Sequence, residues 1–224
     1  MPQKNQPITV AITGASGFIY GLRLLQFLLN ENFLVDLILS KTAFKVSQLE
    51  SNLNLPADNL IESKKQILNY LNLINNKSLN LWSESNLAAS ISSGSYRSQG
   101  MIIIPCSMGC LGRIANGISD DLITRSADVC LKERNKLILV ARETPLNTIH
   151  LQNMLTLSQL GAIILPAMPA FYQQPKTIND LIDFVVGKTL DSFGIEHKLF
   201  NRWTDPKKQV ENVSSMKRKS ENAD

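Results

Sequence analysis

The hydrophobic and polar positions along the chain alternate between short apolar runs and longer stretches with helical spacing. The runs are rich in Val, Ile and Leu, which is typical of strands buried on both faces of a parallel sheet. They predict strands at 7–13, 33–39, 100–105, 136–141 and 162–165. Elsewhere apolar residues recur every three or four positions, as on one face of a helix. This spacing predicts helices at 16–29, 41–50, 108–117, 121–134, 146–160 and 178–193.

Strands that alternate with helices predict an α/β fold built on a doubly wound parallel sheet. The segment 51–92 is rich in Asn and Ser and has weak periodicity, so the pattern assigns it no structure. We expect a flexible N-terminus over 1–6, a single domain over 7–203 and a charged, disordered tail over 204–224.

Composition narrows the classes of function. The 224 residues are 44% hydrophobic and 19% charged, as in an ordinary globular protein. Half of the formal net charge of +4 comes from 206–224, so the rest of the chain lacks the basic face that nucleic-acid binding needs. No apolar run reaches the ~18 residues of a membrane span, and the polar first residues do not resemble a targeting peptide. We therefore expect a cytoplasmic protein without a membrane span.

The cysteines argue against disulfides and metal. Three of them, an odd number, stand at 106, 110 and 130, which fits a reducing compartment. Cys106 and Cys110 are four residues apart, but no second Cys or His pair follows at the spacing of zinc ligands. We expect no metal site.

Polar and small residues follow the predicted strands, at the edge where parallel sheets bind ligands. Gly14-Ala15-Ser16-Gly17 follows the first strand and opens a helix, whose free N–H groups favour an anion such as phosphate. Ser40, the segment 107–110 and the pair Arg142-Glu143 follow later strands. A tight turn, a helix cap and a surface ion pair are the structural alternatives for these residues.

Two further features favour a phosphorylated ligand. Arg125 and Lys132 lie seven residues apart on one predicted helix, so they share a face that either holds a phosphate or is merely solvated. An aromatic loop over 170–175 follows the last strand. From the residues alone, the chain is an α/β enzyme or binding protein for a small phosphorylated ligand.

Eight segments together resemble one family. They are TGASG (13–17), SKTA (40–43), SSGS (92–95), MIIIPCSMG (101–109), LITRSADVCLKER (122–134), ARETPL (141–146), HLQNMLTLSQLGAIILPAMPAFYQQP (150–175) and DFVVGKTL (183–190). In this order they are similar to the flavin prenyltransferases, the UbiX family. The resemblance implies a flavodoxin-like or Rossmann-like three-layer sandwich and a homo-oligomer, commonly a dodecamer, whose sites are shared between subunits.

The resemblance also implies the reaction. A dimethylallyl group from dimethylallyl monophosphate would be joined to N5 and C6 of reduced FMN without a metal. The product, prenylated FMN, would serve a UbiD-type decarboxylase, for example in ubiquinone or related quinone biosynthesis.

Site residues follow from the same resemblance. The implied FMN-binding residues are Gly14, Ala15, Ser16, Ser40, Ser107, Met108, Gly109, Cys110 and Arg142. The implied prenyl-phosphate ligands are Tyr172 and Lys188, with added charge from Arg125 and Lys132. Lys132 is also counted among the catalytic residues, together with Ser16, Glu50 and Glu143. The two carboxyl groups would move protons, and Ser16 would lie near N5.

Two departures and two alternatives accompany this interpretation. Lys188 stands where the family often has Arg. Lys keeps the positive charge but lacks the guanidinium group that binds phosphate with two hydrogen bonds. Leu87 aligns near an aromatic residue of some relatives. An FMN-dependent cysteine-decarboxylase-like enzyme is one alternative, but such enzymes carry Asn after Pro-Ala-Met, and Pro169 follows those residues here. A non-catalytic FMN carrier, the other alternative, would not need Glu50, Glu143 and Lys132.

Overall fold

A six-stranded, fully parallel sheet organises the computed structural model, which describes residues 4–202. Its strands are β1 (Ile8–Ile12), β2 (Val35–Leu39), β3 (Leu79–Ser83), β4 (Met101–Cys106), β5 (Leu137–Ala141) and β6 (Ile163–Ile164). They are arranged in the order β3-β2-β1-β4-β5-β6. This is the doubly wound order of dinucleotide-binding folds, and it confirms the predicted fold class.

Helices cover both faces of this sheet. They are α1 (Phe18–Asn30), α2 (Lys41–Ser51), α3 (Leu60–Tyr70), α4 (Met108–Ala115), α5 (Leu122–Lys132), α6 (Thr148–Gln159) and α7 (Ile178–Phe193). Side chains of α1, α2, α3 and α7 share one core cluster, and those of α4, α5 and α6 share the other. The six predicted helices are therefore confirmed, with ends that shift by a few residues.

Each central strand contributes to both cores because its side chains alternate between the faces. In β5, Ile138 and Val140 pack into the core of α1 and α7, whereas Leu137 and Leu139 pack into the core of α4, α5 and α6. All five residues of β1, β2 and β5 are buried. Burial on both sides explains why these strands read as continuous apolar runs.

The segment 51–92, to which the sequence pattern assigned no structure, contains a helix, an edge strand and a short 3-10 turn (Ser90–Ser92). The helix α3 begins after Asn59, whose side chain accepts a hydrogen bond from Glu62 N. The strand β3 is only partly buried along most of its length. A half-exposed edge strand with polar residues inside it produces no apolar run, which explains the missing prediction. The expected disordered tail over 204–224 lies outside the described residues.

The crevice at the carboxyl edge lies where the strand order reverses, between β1 and β4. Thr13 closes this point: its hydroxyl donates to Pro105 O at 2.7 Å and accepts from Ser107 N at 2.8 Å. Arg142 N in turn donates to Cys106 O at 3.2 Å. The ends of β1, β4 and β5 are therefore tied together at the edge where ligands bind in this class of fold.

Candidate active site

A cavity of about 400 Å³ opens at this edge. Its walls come from the ends of β1, β2, β3 and β4 and from the turn before α5, and its lining residues are Thr13, Ser40, Lys41, Thr42, Glu84, Ser85, Ser107, Cys110, Arg113, Asp120 and Asp121. Three helices begin at it: α2 and α4 are each capped by a serine, and α5 is capped by Asp121. Ser40 Oγ accepts from Ala43 N at 3.1 Å, and Ser107 Oγ accepts from Cys110 N at 3.3 Å. Ser40 is thus both an N-cap and a cavity residue.

The loop between β1 and α1 approaches α2 closely. A Cβ atom on Gly14 would lie 2.2 Å from Thr42 Oγ1, so this close approach requires glycine. Ala15 is buried, whereas Ser16 is exposed. Gly17, with φ 101°, caps α1 without a side-chain hydrogen bond. The first N–H groups of α1 consequently need a partner from elsewhere in the chain.

Glu50 supplies that partner. Its Oε2 accepts from Gly17 N at 2.8 Å and from Phe18 N at 2.9 Å. Partial burial acts to raise the pKa of this carboxyl. Hydrogen bonds from the Ser16 side chain and the two N–H groups, together with the nearby Arg142 charge, outweigh that effect and lower the pKa below its ordinary value. Glu50 is therefore held as a carboxylate at neutral pH, in contact with Ser16.

Arg142 and Glu143 line a second cavity of about 240 Å³ beside the end of β5. Arg142 Nε donates to Ser16 O at 3.1 Å, which joins this cavity to the loop after β1. Glu143 is exposed, and its Oε1 accepts from Thr144 N at 3.1 Å. The structure therefore brings together Ser16, Glu50 and Arg142, with Glu143 adjacent in the chain.

The start of α4 places the remaining expected flavin ligands. Met108 and Cys110 are buried, and Gly109 is exposed, with no atom within 4 Å of a Cβ built on it. The backbone at Gly109 is therefore open to a ligand. The Cys106 thiol is completely buried beside Cys110, and the hydrogen bond between the two thiols, together with burial, raises its pKa well above the ordinary value.

Sequence reasoning missed an acidic rim on the first cavity. Glu84 Oε2 accepts from Lys41 N at 2.9 Å, and burial raises the pKa of its carboxyl. Arg113 bridges Asp120 at 2.7 Å and Asp121 at 2.5 Å, which fixes the turn between α4 and α5. In the sequence, the available signal was that Arg113 is followed by two acidic residues, Asp120 and Asp121, seven and eight positions later. Glu84 had none, because it lies in the segment without a predicted structure.

Arg125 and Lys132 do share a face of α5, as their spacing predicts. That face contacts the loop 90–95: Arg125 Nε donates to Ser92 O at 3.1 Å, and a Cβ on Gly94 would lie 2.7 Å from Lys132 Nζ. Both cations have acidic neighbours, Asp128 for Arg125 and Glu133 for Lys132. Neither lines the two cavities described above.

Tyr172 and Lys188 are both associated with α7, on a third part of the surface. The Tyr172 ring packs edge-on against Phe184 of α7, with ring centroids 5.9 Å apart. Phe184 and Lys188 are one turn apart on that helix and so share a face. Both Tyr172 and Lys188 are exposed. This single chain thus presents the expected phosphate ligands in two groups, one on α5 and one beside α7.

Among residues 4–202, no group of three or more His, Cys, Asp or Glu residues is placed to hold a metal ion. Within the same described range, no helix has the length and apolar character to cross a membrane.

Comparison with known proteins decides the family. The family model described as Flavoprotein matches residues 1–190. A flavin prenyltransferase UbiX of Alkalihalophilus pseudofirmus is 51% identical over 196 residues, which cover 88% of this chain and 95% of that protein. The chain belongs to the UbiX flavin prenyltransferase family. It is therefore a transferase, and the resemblance drawn from the sequence motifs is confirmed.

Solved UbiX structures have the same fold. A UbiX protein in complex with FMN and dimethylallyl pyrophosphate is 41% identical, has a TM-score of 0.77 and is matched over 98% of its chain, against 89% of this one. A dodecameric FMN-dependent UbiX-like decarboxylase from Escherichia coli O157:H7 is also 41% identical, with a TM-score of 0.78. The match covers 89% of this chain and 100% of that one. The described architecture is thus that of the UbiX family over nearly its whole length.

Two departures from the UbiX pattern now have positions in the structure. Lys188 is exposed on α7, with Asp191 nearby. Leu87 is 46% exposed. Trp82, which is close to Leu87 in sequence, points its indole N–H at the buried carboxylate of Asp36, at 2.8 Å. That hydrogen bond gives Trp82 a structural role inside the fold.

Proposed function

We propose that this UbiX-family protein transfers the dimethylallyl group of dimethylallyl monophosphate to N5 and C6 of reduced FMN, giving prenylated FMN. The main observation in support of this proposal is the cluster of Ser16, Glu50 and Arg142 at the carboxyl edge of the sheet. The cavity at the same edge includes two helix starts that are capped by serines. The related structure with FMN and dimethylallyl pyrophosphate supports FMN and a phosphorylated dimethylallyl donor as the two ligands.

The first cavity fits FMN. Its volume lies within the range of small-molecule sites, and it combines hydroxyl groups with the starts of α2 and α4. Helix N-termini and serine hydroxyls are suitable partners for a phosphate and for ribityl hydroxyls. Ser40, Ser107 and Cys110 line this cavity and would hold FMN, together with Met108 and Gly109 of the same segment, Gly14, Ala15 and Ser16 of the loop after β1, and Arg142 from the second cavity. Reduced FMN supplies the nucleophilic N5 and C6 atoms.

The residues of this chain would promote ionisation of the allylic C–O bond by binding the phosphate. Departure of phosphate concentrates negative charge on its oxygens, and fixed cations stabilise that charge most where water is excluded. Lys188, Arg142 and the Tyr172 hydroxyl are suitable groups for this role. Glu143 would donate a proton to the departing phosphate.

Glu50 would accept a proton rather than donate one. Its lowered pKa keeps the carboxylate ionised at neutral pH, and its hydrogen bond with Ser16 offers a path for a proton lost from the flavin. The two carboxyl groups, Glu50 and Glu143, would then have opposite roles. This division needs no metal ion.

Arg125 and Lys132 would act across a subunit boundary. On one chain they face the loop 90–95 and lie outside both cavities. In a dodecamer like that of the Escherichia coli relative, the same helix face would meet the site of a neighbouring subunit. The prenylated FMN would then pass to a UbiD-type decarboxylase, with quinone biosynthesis as the expected context.

The test is anaerobic incubation of the protein with reduced FMN and either dimethylallyl monophosphate or dimethylallyl pyrophosphate. Mass spectrometry of the released flavin should detect a mass increase of one prenyl unit with the monophosphate. Glu143→Gln should lower the rate of adduct formation about 100-fold, since general acid catalysis contributes about that much. Glu196→Gln, at an exposed carboxyl outside the site, is the matched control and should behave as the unmodified protein.

The alternatives give other outcomes. FMN that binds but gains no mass with either donor would refute the transferase proposal and favour a flavin carrier. Release of carbon dioxide from a peptide with a C-terminal cysteine would favour the cysteine-decarboxylase-like alternative. Adduct formation with the pyrophosphate alone would correct the assignment of the donor.

A further inference from the structure

Residues 195–202 form an irregular segment that follows α7, which we name the C-terminal strap. The chain leaves α7 at Gly194, with φ 90°, and folds back onto the same helix. Gly187 makes this possible, because a Cβ there would lie 2.5 Å from the Phe200 ring and 2.7 Å from the His197 ring. The strap therefore packs directly against the backbone of α7.

Asp191 anchors the strap through two of its residues. Arg202 donates to both carboxylate oxygens, at 2.9 and 2.6 Å, in the bidentate geometry that makes such pairs strong. His197 Nε2, on a side chain with 0% exposure, lies 3.1 Å from Asp191 Oδ1. Burial acts to raise the pKa of Asp191, but Arg202, His197 and Lys188 together hold it below its ordinary value. The anchor is thus ionised at neutral pH.

The same strap reaches the loop that carries Tyr172. The Phe200 ring packs on Phe184 at 5.1 Å, and Phe184 packs edge-on against Tyr172 at 5.9 Å. Asn201 O accepts a hydrogen bond from Gln173 Nε2 at 2.8 Å. The strap is therefore connected to Tyr172 through the Phe184 ring and to the next residue, Gln173, through a hydrogen bond from its side chain.

We propose that the C-terminal strap is a positioning element that holds Tyr172 against α7 beside Lys188 and so sets the affinity for the prenyl phosphate. This inference rests on the proposed function, in which these two residues bind that phosphate. Phe200, His197 and Arg202 act through Tyr172 and Lys188 and need not touch the substrate.

The position of Lys188 explains why the strap acts on both ligands. Lys188 lies one turn after Phe184 and three residues before Asp191, so the strap is anchored on either side of it along one helix face. Tyr172 is in an exposed loop and keeps its place through contacts with Phe184 and its surroundings. Without the strap, binding the phosphate would first require ordering this loop, and that cost weakens binding.

The experiment compares Phe200→Ala and Arg202→Leu with Glu196→Gln, a control within the strap whose carboxyl is exposed. Hydrogen exchange measures whether the backbone amide hydrogens of 170–176 exchange faster in the variants than in the unmodified protein. Calorimetry measures the Kd for dimethylallyl monophosphate on the protein loaded with oxidised FMN, so that no turnover is needed. Flavin fluorescence measures the Kd for FMN, and circular dichroism checks that each variant is folded.

Both strap variants should exchange faster over 170–176 and bind dimethylallyl monophosphate about tenfold more weakly, with FMN binding unchanged. Phe200→Leu, which keeps an apolar side chain and serves if Phe200→Ala does not fold, should lie between Phe200→Ala and the unmodified protein. Unchanged exchange, or faster exchange with unchanged prenyl-phosphate affinity, would overturn the proposal. An equal loss of FMN affinity would overturn it too, because it would indicate general unfolding.

Failure of the proposed function gives a different result. If the unmodified protein binds dimethylallyl monophosphate but forms no prenylated flavin, the transferase proposal fails while the binding comparison still decides the role of the strap. If the unmodified protein does not bind the prenyl phosphate, both proposals are overturned.

Discussion

The carboxylate of Glu50 at the start of α1 offers the sharpest test of the site. It stands in for a side-chain cap that Gly17 cannot provide, and it does so from 33 residues away in the chain. Glu50→Ala removes both the charge and the acceptor oxygen. Glu50→Gln removes the charge but keeps an oxygen that can accept from the same N–H groups.

The magnitude follows from the two hydrogen bonds at 2.8 and 2.9 Å and from the exposure of the side chain. Loss of a helix N-cap costs about 0.5–2 kcal/mol, and solvent screening reduces the charge contribution at an exposed site. We expect Glu50→Ala to lower the free energy of unfolding by about 1.5 kcal/mol and Glu50→Gln by about 0.5 kcal/mol. In a protein of this size these losses correspond to decreases in Tm of about 3–6 °C and 1–2 °C.

The pH dependence has a definite sign because the pKa of Glu50 is lowered in the folded protein. A carboxyl of this kind binds its proton less readily when folded than when unfolded, so its contribution to stability is present above the unfolded pKa of about 4.3. The contribution is lost as the pH falls through the lower folded pKa. The stability difference between the unmodified protein and Glu50→Gln should therefore be complete at pH 7 and disappear in strong acid.

Denaturant unfolding of the unmodified protein, Glu50→Gln and Glu50→Ala at several pH values measures these differences. Glu196→Gln serves as the control for general charge effects. If the difference for Glu50→Gln grew as the pH fell, or if Glu50→Ala were as stable as the unmodified protein at pH 7, the capping role would be wrong. Such a result would also remove the reason for regarding Glu50 as a proton acceptor.

Three other substitutions test separate features. Gly14→Ala should weaken FMN binding about tenfold, measured by flavin fluorescence, because the new Cβ would collide with Thr42. Adding Thr42→Gly to the Gly14→Ala variant should restore binding, and a failure to do so would show that the collision is not the cause. Asp36→Ala should lower the free energy of unfolding in denaturant by about 3 kcal/mol, since it leaves the partly buried donors of Trp82 and Tyr96 without their acceptor, and a loss below 1 kcal/mol would contradict the network. Lys188→Arg should lower the Kd for dimethylallyl monophosphate a few-fold by calorimetry, as a guanidinium can bind phosphate with two hydrogen bonds; a weaker complex would contradict this.

How far the sequence could predict the fold depends on whether the determining contacts are local. Five strands were predictable because burial on both faces leaves a continuous apolar run, as in β1 and β5. β3 was not, because its Asn80 and Trp82 bind Asp36 of β2 more than 40 residues away. Asp36 itself is completely buried, yet in sequence it resembles an ordinary polar residue.

The candidate site was predictable to a different degree. Residues at strand ends, such as Ser40 and Arg142, could be located because every parallel strand delivers its last residues to one edge. The contacts of Glu50 and Glu84 with helix starts could not be predicted, since each accepts hydrogen bonds from a helix distant in sequence. Local pattern thus located the edge, and the family resemblance named Glu50 and Glu143, but only the packing of the helices showed that Glu50 and Glu84 bind helix starts there.

The distribution of charge over the site has a consequence for assembly. The first cavity, where we propose that FMN binds, is lined by an acidic rim in which Glu84, Asp120 and Asp121 face Lys41 and Arg113. The cations expected to bind the prenyl phosphate lie elsewhere, on α5 and α7. On one chain Arg125 and Lys132 lie outside both cavities, so they could add to the positive charge at a departing phosphate only if another subunit brought that phosphate to α5. The proposed role of Arg125 and Lys132 therefore requires an assembly in which α5 of one subunit completes the site of another.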